Sequence, residues 1–258
     1  MKKIIIVISA ILYWPTILSA GILDELNHLP PQQEILLYAD VRAMFDYAQK
    51  KGISPDDLPY YFGEKQYADA EKILNKFNMK VSDIHELLVA GKLDDQKKDP
   101  DAIFIIRYAG NTRPIPPEFK SIAISTPNGT IYDLKGDDGK TVMFAQTKDS
   151  FVIGMREPLE YYLKSKKTAI ASGKTQYSDF RERSKGKCFY AHLSMSKIMK
   201  DHMDDAIKKG ARMGKGLNAN VFIKSIMNLE SIDVSVQFGK RIQYYVDMRA
   251  SSKEDGDR

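Results

Sequence analysis

Leu37-Tyr38-Ala39-Asp40 and Phe189-Tyr190-Ala191-His192 are nearly the same short phrase, and each leads into a segment with helical spacing. Around the first phrase, Glu34 to Ala39 is a compact apolar run that reads as a strand. Asp40 then stands where a carboxylate can accept from the free amides of a helix's first turn. Val41, Met44, Phe45 and Ala48 recur with helical period, and Gly52 ends the pattern. Two further echoes follow in the same order, Ser231 to Phe238 with Asp83 to Ala90, and Gln243 to Ala250 with Ile103 to Gly110. Three weak matches in one order favour an internal duplication of a strand-helix-strand-strand unit.

From residue 84 to 154, strand-like stretches at Ile84 to Ala90, Ala102 to Tyr108, Phe119 to Ser125, Thr130 to Leu134, Val142 to Gln146 and Phe151 to Gly154 are joined by turn-rich segments. Tight turns imply antiparallel pairing, because a parallel crossover needs a dozen residues or more. Helices expected at 41–51, 69–79, 158–165, 195–209 and 219–228 would cover one face of the sheet, an α+β architecture. Ile22 to Leu29 reads as a short exposed amphipathic segment ahead of Pro30-Pro31. The expected organisation is a signal peptide at 1–20, a first α+β unit at 21–163, a polar linker at 164–186, a shorter second unit at 187–250 and a polar tail at 251–258.

The address is read from the N-terminus. Lys2 and Lys3 precede the apolar stretch Ile4 to Leu12, and Ala20 offers a small residue at a cleavage point, the pattern of a secretory signal. Retained, Ile4 to Ala20 would serve as a short membrane anchor, and that is the one route to membrane contact. Without residues 1–20, 238 of the 258 residues remain, carrying 37 basic against 34 acidic side chains. This balance gives no footprint for nucleic acid. Cys188, the single cysteine, cannot form an internal disulfide, and its surroundings read as a buried strand.

No motif for chemistry is complete. His85-Glu86-Leu87-Leu88-Val89 begins like a zinc-protease helix but has Val89 where the second imidazole belongs. Gly139-Lys140-Thr141 and Gly173-Lys174-Thr175 lack the earlier glycine of a phosphate loop, where Leu134 and Thr168 stand. Met195, Met199 and Met203 share a helical face with Ile198, Ala206 and Ile207, which reads as core rather than a copper site. Asn128-Gly129-Thr130 matches a glycosylation acceptor and equally a hairpin turn. No metal site and no cofactor is expected.

These readings point to an exported protein of the periplasm or cell envelope, binding a protein, peptide or envelope component without catalysis. Its working surface is expected on the bare sheet face or an edge strand, with Tyr38, Tyr108, Tyr190, Tyr244 and Tyr245 as contact residues. Arg212 and Lys215, in the glycine-punctuated run 210–216, are candidate anion ligands. The alternative is an extracytoplasmic hydrolase in which carboxylates such as Asp40, Asp83 and Asp233 are gathered by folding.

Overall fold

A computed structural model describes residues 22–54, 64–93, 101–108, 115, 123–135, 141–147, 149–168, 177–196, 200–201, 228–238 and 241–250. Ten strands form one sheet: β1 (Ile35–Asp40), β2 (Ile84–Lys92), β3 (Asp101–Tyr108), β4 (Ala123–Thr126), β5 (Gly129–Lys135), β6 (Thr141–Gln146), β7 (Ser150–Gly154), β8 (Phe189–Ser194), β9 (Leu229–Phe238) and β10 (Ile242–Ala250). Their order is β10-β9-β8-β1-β2-β3-β7-β6-β5-β4, and every neighbouring pair is antiparallel. From the β1·β8 pair the sheet therefore runs outward through β2 and β3 on one side, and through β9 and β10 on the other. Tyr38 sits directly opposite Tyr190 at that junction.

Four α-helices are described: α1 (Val41–Lys50), α2 (Glu64–Asn75), α3 (Arg156–Thr168) and α4 (Ser178–Ser184). The first starts as its sequence dictates, with the Asp40 carboxylate accepting from the Ala43 amide at 3.0 Å. It ends where Gly52 takes a φ of 76°, a left-handed conformation that an L side chain resists. Pro127 and Asn128 form the turn between β4 and β5, with Thr126 paired to Gly129, one residue earlier than an Asn128-Gly129 hairpin would place it.

Helices cover both faces of the sheet, not one. Leu36, Tyr38, Leu88, Ala90, Ile103, Ile105 and Val152 pack under Leu159, Tyr162 and Leu163 of α3, together with Tyr177 and Phe180 at α4. On the opposite face, Leu37, Ala39, Leu87, Val89, Phe189 and Val236 pack under Val41 and Met44 of α1. That same face continues over Phe104 and Ile106 to Tyr108, Phe144 and Phe151, which meet Leu74 at the end of α2 and Phe77 and Met79 just beyond it. A strand buried on both sides is apolar at consecutive positions, as Leu36 to Ala39 are. We call the two sides the Tyr38 face and the Leu37 face.

Two local expectations change. Ile22 to Leu29 is not exposed: Ile22–His28 is a 3₁₀ helix whose Ile22, Leu23 and Leu26 enter the core of the Tyr38 face. Glu25 of this turn accepts from the Tyr162 hydroxyl at 2.7 Å and from Lys166 at 2.8 Å, tying it to α3. The span 164–186 is not simply linker, since α3 continues to Thr168 and α4 buries Phe180. Of the strand expected from Phe119 to Ser125, residues 119–122 lie outside the described residues, and Ala123–Thr126 is a strand. The helices expected at 195–209 and 219–228, the signal segment and the tail lie largely or wholly outside the described residues.

Candidate functional site

On the Tyr38 face, Asp233 of β9 is buried and gathers donors from three other elements. The Tyr190 hydroxyl of β8 donates to Oδ1 at 2.8 Å, and His192 Nδ1 lies 2.7 Å from the same oxygen. Oδ2 accepts from Arg183 of α4 at 2.9 Å and from Arg249 of β10 at 3.3 Å. Burial by itself raises the pKa of this carboxyl, but the His192 and Tyr190 hydrogen bonds and the His192 and Arg183 charges outweigh that and hold it below its ordinary value. The phenol of Tyr190 is pushed up, by burial first and then by the adjoining carboxylate. A His-Asp contact also occurs in acid-base catalysis, yet among the described residues nothing nucleophilic is hydrogen-bonded to His192. The centre ties α4 and β10 to the sheet.

A second polar centre lies on the other side of the β1·β8 junction. Glu86 of β2 is buried, accepts from Arg107 of β3 at 3.3 Å, and has the Tyr38 hydroxyl at 3.5 Å. Arg107 also reaches Asp149 at 3.3 Å. Asp40 faces Glu86 across β1·β2, and its pKa is pushed up to about 7, by burial foremost and with a contribution from Glu86, against the opposing pull of the Ala43 amide. Asp83 accepts from the Lys80 amide at 3.0 Å, closing a 3₁₀ turn. Asp40, Asp83 and Asp233 thus have separate local roles: Asp40 and Asp83 accept from turn amides, and Asp233 pairs with the cations of α4 and β10.

The outer strand β10 differs from both centres. Ile242, Tyr244, Val246 and Met248 are exposed on the Leu37 face beside Phe238, Val236, Val234 and Ile232 of β9, with Tyr244, Val246 and Met248 at 61, 60 and 61% exposure. Gln243, Tyr245, Asp247 and Arg249 point to the other face, where Lys187 sits 4.9 Å from the Tyr245 ring centre. The far edge, β4, is only four residues long and reads Ala-Ile-Ser-Thr.

The five tyrosines named from sequence separate accordingly. Tyr38, Tyr108 and Tyr190 are core residues and line no surface, whereas Tyr244 and Tyr245 are exposed on β10. Strand placement, not residue type, makes the difference. Arg212 and Lys215 lie outside the described residues, as do Met199, Met203 and the run 173–175. His85 to Val89 belongs to β2, so the zinc-protease helix is absent there. Cys188 is buried with its thiol pushed up to about 12 by burial, and its sulfhydryl donates to the Val236 carbonyl. Sequence reading missed Glu86, Arg183, Arg249 and Asp149; the lone signal was a carboxylate at Glu86 next to an apolar strand run.

No family model matches the sequence, and no curated protein matches it. Among solved structures, the chain is similar to TP0453 in crystal form I, at 14% identity and a TM-score of 0.45 over 90% of this chain and 81% of that one. Crystal form III of TP0453 matches at 11% identity and a TM-score of 0.39, over 90% and 81% of the two chains. Form IV matches at 11% identity and 0.38, over 86% and 79%.

Proposed function

We propose that this chain is an exported interaction protein of the periplasm or cell envelope, without catalytic activity, whose contact element is the free edge strand β10. The observation that carries the reading is the exposure of β10 along nearly its whole length, with an apolar stripe from Ile242 to Met248 and an outer side that no described strand occupies. An unpaired edge presents backbone amides and carbonyls ready to pair with an extended segment, and soluble proteins ordinarily blunt such an edge with charge, proline or brevity. The export assignment draws on Lys2, Lys3 and the apolar run after them. A duplicated unit draws on the sheet order, since β1-β2-β3 and β8-β9-β10 extend in opposite directions from the Tyr38·Tyr190 pair.

The test places a photo-crosslinking residue at Val246 on β10 or at Ser125 on β4, in the cells that make the protein. Adducts are expected from Val246 and not from Ser125. Adducts from Ser125 alone, or from neither position, overturn the assignment. Mass measurement of the mature N-terminus checks export: a chain beginning near Gly21 is expected, and retained Met1 to Ala20 indicates an anchor.

Asp40 favours a second reading, the carboxylate-based hydrolase. Its pKa of about 7, opposite Glu86, suits proton transfer near neutrality. Turnover of ester or glycoside reporters by purified protein, abolished by Asp40→Asn, would support that reading; no turnover would retire it.

A further inference from the structure

Resting on the edge-strand reading, we infer that the partner of β10 is β10 of a second copy of this chain, paired antiparallel about a two-fold axis at Tyr244. The run Arg241-Ile242-Gln243-Tyr244-Tyr245-Val246-Asp247 is self-complementary when read against its own reverse. In the register centred on Tyr244, each Arg241 faces the second copy's Asp247, Ile242 faces Val246, Gln243 faces Tyr245, and Tyr244 faces itself. A two-fold axis perpendicular to the sheet keeps every side chain on its own face. Both apolar stripes therefore merge on the Leu37 face, while the polar residues meet on the other.

Charge specifies the register. Arg241 is exposed, with no described partner in its own chain. Asp247 has only long contacts there, to Arg249 at 3.9 Å and Arg183 at 4.0 Å. Pairing gives each a cross-strand partner of opposite sign, twice per dimer by symmetry. A shift that sets Asp247 against Asp247 instead places like charges opposite each other. The main chain gains hydrogen bonds along an edge that no described strand occupies, and the sheet becomes continuous through twenty strands, twice the ten of one copy.

Equilibrium sedimentation of the purified protein tests this together with the Val246 crosslink. A reversible dimer is expected, with each of Arg241→Asp and Asp247→Arg weakening association about tenfold and the double reversal restoring it to within about threefold, as for an opposed charge pair. Arg241→Asp is the arm that disturbs no described contact within the chain, and circular dichroism verifies that each variant is folded. Tyr244→Cys should form a disulfide-linked dimer under mild oxidation, because the two-fold sets residue 244 opposite itself, whereas Tyr245→Cys should not. Buried Cys188, with its raised thiol pKa, does not compete.

A monomer at every concentration, or a dimer indifferent to both reversals, overturns the self-pairing. In that event Val246 adducts to a different protein leave the edge reading standing, and no Val246 adduct removes both.

Discussion

Tyr38 and Tyr190 face each other across β1·β8, and each turns its phenol toward a buried carboxylate on the strand beyond, Glu86 on β2 and Asp233 on β9. The frames are alike, but the charge around them is not. Asp233 collects His192, Arg183 and Arg249 as well as its tyrosine, so ionisation is favoured despite burial. On the other side Arg107 serves Glu86 and Asp149, while Asp40 is buried beside the same acid and is driven toward the neutral form. The residue facing each buried carboxylate makes the difference: His192 helps keep Asp233 charged, whereas Asp40, in the corresponding place opposite Glu86, is itself driven toward the neutral form by burial and that acid.

The sharpest challenge to this contrast is Asp233→Asn, which leaves Arg183 and Arg249 partly unpaired in a half-buried site. It should lower stability by about 3 kcal/mol at pH 7, read by urea denaturation. A loss under about 1 kcal/mol would make the centre an ordinary surface network.

Asp40→Asn should act in the opposite direction, by on the order of 2 kcal/mol above pH 7, because asparagine also caps a helix and carries no charge to bury. With a folded pKa raised from 3.8 to about 7, Asp40 in the wild type stabilises the fold below its unfolded pKa, and that contribution is lost as pH climbs through about 7. Asp233, with its pKa lowered from 3.8, stabilises the fold above that unfolded value and loses its contribution as pH falls through its folded pKa. Denaturation curves across pH should lose the first dependence in Asp40→Asn and keep the second.

Removing one hydroxyl at a time compares the tyrosines directly. Tyr190→Phe should cost about 1.5 kcal/mol, as for a 2.8 Å bond to a charged acceptor. Tyr38→Phe should cost less than Tyr190→Phe, because the Tyr38 oxygen stands 3.5 Å from Glu86 where the Tyr190 oxygen stands 2.8 Å from Asp233. Equal losses would erase the distinction. The smallest effect is expected at the outer strand: Val246→Lys should change the melting free energy by no more than about 0.5 kcal/mol while abolishing association, since it touches an exposed position.

Local chemistry was legible where a few neighbouring residues suffice. Asp40 as a helix cap, Gly52 as a stop and the buried Cys188 follow from short-range rules, and the structure agrees at each, while the hairpin read at Asn128-Gly129 turns one residue earlier, at Pro127-Asn128. The run Leu36 to Ala39 also announced burial on both sides, although a sheet covered on one face was expected. Phe180 was hard to see because it stands alone among charged residues in Ser178–Ser184. A seven-residue helix has too little pattern to reveal a buried face.

By itself, the sequence determined the strands, most of their turns, the antiparallel pairing of the meander and the repeated phrase around Tyr38 and Tyr190. The tertiary structure alone decided that β8 lies beside β1, that β7 comes between β3 and β6, and that β10 is left outermost. The same decision buried Tyr38, Tyr108 and Tyr190 while exposing Tyr244 and Tyr245, and brought Arg183 to Asp233 from 50 positions away. The physical reason is that strand propensity and turn chemistry act between near neighbours, whereas sheet order and charge pairing arise from burying a common core between segments far apart in the chain.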